Sequence, residues 1–126
     1  MGGIVTKVKL KGYLKNITDN EIFSFSTNAI KEKNKYKFII DEEKYILSII
    51  SSNKIILNRN NNEIESTIYF GNKKQNSSLY TLKEKNITIN IDILTNSLEL
   101  KENNIKILYT VIDSDVVYEY NIEMSE

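Results

Sequence analysis

The stretch that decides the fold reads Ile87-Thr88-Ile89-Asn90-Ile91-Asp92-Ile93-Leu94. Isoleucine occupies every second position, and polar residues separate the isoleucines. Successive side chains of a β-strand point to opposite faces, so this alternation of β-branched and polar residues is typical of a half-buried strand. We therefore predict a strand with one apolar face over 87–94 and take it as the reference for the rest of the chain.

The same alternation recurs in shorter pieces along the chain. It predicts further strands at 4–14, 21–30, 36–40, 45–51, 55–58, 63–70, 79–83, 105–111 and 116–124. The polar segment 95–97 leads from the reference strand to Leu98 and Leu100. Polar turn segments rich in Asn, Asp, Ser and Lys lie between the strands, and Asn and Asp tolerate the left-handed backbone that tight turns require. About ten short strands at this spacing are typical of a sandwich or a barrel.

The composition favours a barrel over a sandwich. The sequence contains no Pro, a residue that often protects exposed strand edges. A closed barrel has no edge to protect, so we predict an all-β fold: a closed or nearly closed antiparallel β-barrel of calycin or lipocalin type with about 8–10 strands. The 126 residues are expected to form a single domain over 1–126. Closure would bring the final strand beside the first.

Several side chains of this barrel are expected to face its interior. The predicted first strand carries Ile4, Val8, Leu10, Gly12 and Leu14 on one face. Gly12 is expected to mark either a bulge or a close approach of two backbones. The side chains expected to be largely buried elsewhere are Phe25, Ile89, Ile91 and Ile107.

Composition also limits the chemistry that the protein can perform. The sequence has no Cys, which excludes disulfides and thiolate chemistry, and no His, which removes the commonest general base and zinc ligand. Seventeen basic residues balance 17 acidic ones, and Arg59 is the single arginine, so nucleic acid is not a favoured partner. We predict no catalytic residues, no metal, no cofactor and no enzymatic activity.

The sequence also bears on location. No apolar run approaches the roughly 18 residues that span a membrane. The first residues show no charged segment followed by an apolar one, so we expect no signal peptide and a cytoplasmic protein. Nothing in the sequence sets the oligomeric state.

Positions scattered along the chain resemble a known family. They are Glu21 at the head of a strand running through Phe23 and Phe25 to Thr27, the pair Asp41-Glu42, Arg59, Phe70-Gly71 before Tyr80, Thr95 and Tyr109. In order and spacing they resemble the YwiB-like family, small bacterial proteins with a calycin-like barrel, over residues 5–124. The resemblance implies a fold but no functional residue, because the family has no established activity. Where the family tends to place Gly, this chain has Asn28 and Asn60-Asn61, which are expected to keep the turns because Asn tolerates positive φ.

Two acidic stretches are candidates for metal binding or acid–base chemistry. The stretch 41–43 contains three carboxylates, but adjacent strand residues point to opposite sides, which favours a solvated turn at a strand end. The stretch 113–115 reads Asp-Ser-Asp, as at the start of a calcium loop, but lacks the later Gly and bidentate Glu of such loops. We predict a hairpin turn there.

Lysines form two basic stretches that suggest an alternative function. The first contains Lys7, Lys9 and Lys11, and the second contains Lys31, Lys33, Lys35 and Lys37. With Tyr13 and Tyr36 they could bind single-stranded nucleic acid, because charge follows the backbone and rings stack on bases. The simpler interpretation is a water-facing strand surface.

Tyrosines are the candidates for a ligand site. Tyr69, Tyr109, Tyr118 and Tyr120 are predicted to face the barrel interior, either as core or around a cleft with their hydroxyl groups bonded to Thr27, Thr95 or Glu21. We therefore expect a non-enzymatic module for a small apolar or amphipathic ligand. The alternative is binding of single-stranded nucleic acid or a protein partner through the Lys-rich outer faces.

Overall fold

A computed structural model describes residues 5–125 as a barrel of ten β-strands, with no helix in that range. The strands are β1 (Val5–Asn16), β2 (Glu21–Glu32), β3 (Lys35–Ile40), β4 (Glu43–Ser51), β5 (Lys54–Asn60), β6 (Ile64–Gly71), β7 (Gln75–Leu82), β8 (Ile87–Lys101), β9 (Asn104–Val111) and β10 (Val116–Ser125). Neighbouring strands pair antiparallel, and β1 pairs with β10 to close the barrel. The predicted closed antiparallel barrel is confirmed, as is the return of the last strand to the first. The predicted place of Ile4 falls outside the described residues.

Gly12 lies where β1 approaches the backbone of β10 closely. It stands opposite Ile122 in β10 and Phe25 in β2. A Cβ atom built on Gly12 would collide with the backbone carbonyl oxygen of Asn121. Of the two predicted roles for this glycine, the structure selects the close approach of two backbones.

One half of the barrel interior is a packed core. Its most deeply buried apolar side chains are Leu10, Leu47, Ile55, Phe70, Ile105 and Ile107, each with 0 or 1% exposure. Ile55 and Ile105 are near the beginning of odd-numbered strands, whereas Phe70 is near the end of an even-numbered one. In an antiparallel sheet, the beginning of an odd-numbered strand lies beside the end of an even-numbered one. These buried side chains therefore lie at the same end of the barrel.

The reference strand is longer than predicted because it contains a bulge. β8 continues to Lys101, and its pairing with β9 shifts between Thr95 and Ser97. The extra residue, Asn96, reverses the alternation, so that Thr95 and Leu98 are both buried. Without this shift, Leu98 would face outward. The polar segment 95–97 is thus a bulge within one strand.

The isoleucines at the start of β8 are not buried, contrary to prediction. Ile89 is 47% exposed and Ile91 half-buried, whereas Ile93 is only 3% exposed. The pairing explains the gradient: β7 pairs from Ile87 onward, but β9 begins to pair only at Ile93. The β7–β8 hairpin therefore projects beyond β9, and its first isoleucine side chains lack an opposing wall.

Of the two other residues predicted to be buried, one is buried and one is not. Ile107 is buried as predicted, in the packed half. Phe25 is only partly buried, because β2 pairs with β3 only from Ala29 to Glu32 and leaves Phe25 beside a gap in the wall. No helix among residues 5–125 is long and apolar enough to cross a membrane.

The turns use left-handed residues at other positions than expected. Asp41 and Glu42 both have positive φ, of 49° and 68°, as a two-residue hairpin turn requires. Asn28 and Asn60 lie within strands, and neither they nor Asn61 have positive φ. The expectation that these asparagines replace turn glycines is therefore wrong.

Candidate ligand-binding cavity

The other half of the interior holds a cavity of about 500 Å³. It lies at the end of the barrel that carries the β1–β2, β3–β4, β5–β6, β7–β8 and β9–β10 turns. Its wall is largely apolar and includes Leu14, Phe25, Phe38, Ile68, Ile91 and Ile93. The barrel interior is thus divided into a packed half and a hollow half.

Three of the four predicted interior tyrosines meet in this cavity. Tyr109 stands directly opposite Tyr118 across the β9–β10 pair, with ring centroids 5.3 Å apart and nearly parallel planes. Tyr120 stacks on Tyr109 from the next inward position, at 6.0 Å. Phe70 contacts Tyr109 from the packed half, at 5.0 Å. These rings form the boundary between the core and the cavity, because Tyr109 belongs to both.

The fourth predicted tyrosine, Tyr69, does not face the interior. Ser66 and Phe70 are buried inside the barrel and Ile68 lines the cavity, so Tyr69 points outward between them. The prediction for Tyr69 is wrong. The sequence already held the signal, because the alternation of 63–70 groups Tyr69 with the polar positions.

Two cavity tyrosines were not predicted. Tyr45 lines the cavity and stacks on Phe38, with ring centroids 5.2 Å apart and planes 2° from parallel. Tyr80 lines it from β7, two strands away from Arg59. The strand at 45–51 does alternate, so Tyr45 could have been placed on the face of Leu47. The predicted strand around Tyr80 was too short to assign a face.

The hydroxyl partners proposed for the tyrosines are engaged elsewhere. Thr27 Oγ1 donates to the carbonyl oxygen of Ile39 at 2.9 Å, and Thr95 Oγ1 accepts from the backbone N–H of Gly71 at 3.2 Å. Glu21 is exposed at the start of β2. Within residues 5–125 no fully buried side-chain nitrogen or oxygen lacks a hydrogen-bond partner. No fully buried side-chain atom therefore depends on the predicted bonds.

An ion pair forms the polar end of the cavity. Arg59 donates from Nε to Oε2 of Glu43 at 2.6 Å and from Nη2 to Oε1 at 2.8 Å. Tyr45 donates its hydroxyl hydrogen to Oε2 at 2.8 Å, and Asn61 Nδ2 donates to Oε1 at 3.1 Å. Both Glu43 and Arg59 line the cavity, so four donors hold one carboxylate at its edge.

The local environment keeps this pair ionised. The hydrogen bond from Arg59 is the main cause that lowers the pKa of Glu43, and the bonds from Tyr45 and Asn61 act in the same direction. Burial, with a contribution from Glu43, raises the pKa of Tyr45. Burial also raises the pKa of Tyr120 to about 12, against the opposing charge of Arg59. Tyr45 and Tyr120 therefore stay neutral hydrogen-bond donors near neutral pH.

The stretch 41–43 is a turn at a strand end, as predicted, but the side chain of its third residue is not solvated. Asp41 and Glu42 form the β3–β4 turn, whereas Glu43 begins β4 and turns inward. Glu43 precedes Tyr45 by two positions and so shares its face. This spacing indicates that Glu43 points inward with Tyr45, and Arg59, the single arginine, was the candidate partner for its charge.

Only one of the two predicted tyrosines, Tyr13, lies on the outer face that carries the lysines of β1, beside Lys11. Lys7, Lys9 and Lys11 are exposed on the outside of β1. Lys31, however, lies over the ring of Tyr36, with Nζ 5.6 Å from its centroid. Tyr36 belongs to the buried core, so its ring is not available to stack on a base.

The second acidic stretch forms the β9–β10 hairpin turn, as predicted. Asp115 has a φ of 57°, a left-handed conformation typical of turns. In the part of the chain that the structure describes, no group of three or more acidic residues is placed to hold a metal ion.

Fold and site together define a closed ten-stranded antiparallel barrel with an apolar, tyrosine-rich cavity at one end. No family model and no curated protein matches the sequence. Among solved structures, the chain is similar to the crystal structure of the ywiB protein from Bacillus subtilis, with a TM-score of 0.67 and 17% sequence identity. The similarity covers 96% of this chain and 92% of that one. The predicted resemblance is confirmed at the level of the fold.

Proposed function

We propose that this protein is a non-enzymatic module that binds a small apolar or amphipathic ligand inside the barrel. The cavity of about 500 Å³ is the observation that supports this proposal. Ligand pockets range from about 300 to 1,000 Å³ and combine an apolar wall with a few oriented polar groups. Here the polar groups include Asp41, Glu43, Arg59 and the neighbouring tyrosines.

The contrast between the two halves of the barrel supports a binding role. Protein interiors are packed so closely that voids larger than a water molecule are few, and unfilled space costs stability. In the other half of the same barrel, residues such as Ile55 and Phe70 are fully buried. A sequence that can fill one half but leaves the other hollow favours a cavity kept for a ligand.

The absence of enzymatic activity is part of the proposal. It is supported by the lack of His and Cys and by the state of Glu43. That carboxylate accepts four hydrogen bonds and has a lowered pKa, which makes it a weak proton acceptor at neutral pH.

We further propose a bacterial, cytoplasmic protein with a barrel of calycin type. A chain without Cys suits a reducing compartment. The likeness to a Bacillus subtilis protein supports the source, and a closed barrel with one end hollow supports the calycin assignment.

A dye-binding experiment with two adjacent substitutions tests the proposal. Nile red, a neutral apolar dye, is titrated into the wild-type protein, Ile68→Trp and Tyr69→Trp. Ile68 lines the cavity, and Tyr69 points outward. We expect saturable binding to the wild-type protein, loss of binding when Trp fills the cavity at 68, and normal binding with Trp at 69. Equal binding to both variants would contradict an interior site.

The alternative, nucleic-acid or protein binding through Lys7, Lys9 and Lys11, has its own test. Phosphate contacts weaken steeply with salt, so an oligonucleotide titration at two salt concentrations detects them. We expect little binding in either condition. Tight, salt-sensitive binding that a Lys7/Lys9/Lys11→Glu triple variant removes would favour the alternative.

A hydrolase and phosphatase screen tests the proposed absence of enzymatic activity. Turnover that Glu43→Gln abolishes would overturn that part of the proposal.

A further inference from the structure

We infer that the ligand carries a neutral oxygen acceptor, such as the carbonyl of a ketone, ester or amide, and that this oxygen binds to Arg59. The inference rests on the proposed function, because it names the chemical class of ligand for the same cavity. The donors and acceptors at the polar end of the cavity, and their charges, lead to it.

Arg59 has hydrogen-bonding capacity beyond its bonds to Glu43. A guanidinium carries five N–H donors and no acceptor. Glu43 takes one from Nε and one from Nη2, which leaves three N–H groups. The Arg59 side chain is 38% exposed and lines the cavity, so an acceptor placed in the cavity can reach it.

Glu43, in contrast, has no acceptor capacity left for a ligand. A carboxylate offers about four lone-pair sites. Arg59 fills two of them, and Tyr45 and Asn61 fill the others. At the Arg59–Glu43 pair the cavity therefore presents donors, and the ligand group that complements this pair is an acceptor.

Charge selects a neutral acceptor over an anionic one. The positive charge of Arg59 is already balanced by Glu43, and Asp41 adds a second carboxylate to the cavity lining. Among the residues that line the cavity, a ligand carboxylate would meet the two negative charges of Asp41 and Glu43 and the one positive charge of Arg59. It would also compete with Glu43 for the two-donor edge of the guanidinium, which suits a carboxylate best. A carbonyl oxygen needs only one free N–H and brings no charge.

Three molecules of seven carbons separate these possibilities: heptane, methyl pentyl ketone and heptanoate. Each competes with Nile red for the wild-type protein, Arg59→Met and Glu43→Gln at neutral pH. In the wild-type protein we expect the ketone to compete at roughly tenfold lower concentration than heptane or heptanoate, as a hydrogen bond from a charged donor provides. In Arg59→Met the ketone should lose its advantage over heptane. Circular dichroism and retained heptane competition show that the variant is folded.

Glu43→Gln provides a second and independent result. Removing the Glu43 charge leaves Arg59 uncompensated, so heptanoate should gain at least tenfold and become the tightest of the three. Equal competition by ketone and heptane in the wild-type protein, or tightest binding of heptanoate there, would overturn the inference while leaving the proposed function in place. If none of the three competes and Nile red does not bind, the proposed function fails as well.

Discussion

The guanidinium of Arg59 meets the carboxylate of Glu43 side-on, with Nε 2.6 Å from Oε2 and Nη2 2.8 Å from Oε1. The pair joins the start of β4 to the end of β5, where Arg59 also stands directly opposite Tyr45. Two parallel hydrogen bonds fix the orientation of both groups as well as their distance. The pair therefore fixes the geometry of the polar end of the cavity, which is where the proposed ligand would place its oxygen.

Glu43→Gln should lower stability in a pH-dependent way. The folded protein lowers the pKa of this carboxyl below its ordinary 4.5, so its stabilising effect is present above that pH and is lost as the pH falls through the lowered value. We expect a loss of about 1 kcal/mol at neutral pH, because the partly exposed pair is screened by water. Urea unfolding at a series of pH values measures the difference, which should shrink in acid.

The adjacent turn residue provides the control for this prediction. Glu42 is exposed at the β3–β4 turn, so Glu42→Gln should leave the urea midpoint at neutral pH unchanged. A Glu43→Gln protein as stable as the wild-type protein at neutral pH would show that the pair does not contribute to the folded state.

Two isoleucines with the same sequence pattern should respond differently to truncation. Ile107 is 1% exposed in the packed half, and Ile89 is 47% exposed on the projecting hairpin. Ile107→Ala should cost about 2–5 kcal/mol, because it leaves a void in a packed core. Ile89→Ala should change the free energy of unfolding by less than about 0.5 kcal/mol. Similar losses at both positions, measured by denaturant unfolding, would contradict the division of the interior.

Thr95→Val should expose a dependence on one buried hydrogen bond. Thr95 in β8 is fully buried, and its hydroxyl oxygen accepts a hydrogen bond from the backbone N–H of Gly71 at the end of β6. Valine keeps the shape but leaves that N–H without its acceptor, at a cost of about 1–3 kcal/mol. Thr95→Ser, which keeps the oxygen, should retain slow hydrogen exchange at the Gly71 amide. Unchanged exchange at that amide in Thr95→Val would contradict the assignment.

Gly12→Ala should disturb the closure of the barrel, and Gly71→Ala should not do so to the same extent. A Cβ at Gly12 would meet the backbone of Asn121, which cannot move without opening the β1–β10 pair. A Cβ at Gly71 would lie 3.1 Å from the side-chain nitrogen of Asn76, which can rotate away. Thermal unfolding of the two variants compares them, and a Gly12→Ala protein that melts like Gly71→Ala would contradict the close approach.

The sequence predicts the faces of the strands better than it predicts their burial. Ile89 and Ile93 share one face, but their exposure differs because β9 begins to pair only at Ile93. Where a neighbouring strand begins is a property of the whole sheet, and local alternation does not contain it. Local alternation does not predict the bulge at Asn96 either, because a bulge is defined by the pairing of β8 with β9.

The sequence also predicts only some of the residues that line the cavity, because the ends of strands are not visible in local alternation. Tyr109, Tyr118 and Tyr120 were predicted to meet because they follow one another in a hairpin. Glu43 and Arg59 lie on neighbouring strands too, but the acidic residues before Glu43 hid the start of its strand. Alternation assigned to 43–51 instead of 45–51 would have placed Glu43 inward beside Tyr45, facing Arg59.

The central claim is that a small apolar molecule binds in the hollow half of the barrel, and a methyl-labelled NMR titration tests it most directly. Isoleucine methyl groups report from the cavity wall at Ile68, Ile91 and Ile93, and from the exposed outer face at Ile22 and Ile30. Addition of methyl pentyl ketone should produce saturable shifts at the three wall residues and none at the two outer ones. Shifts confined to the outer residues, or no shift at the wall up to saturating ketone, would contradict the claim.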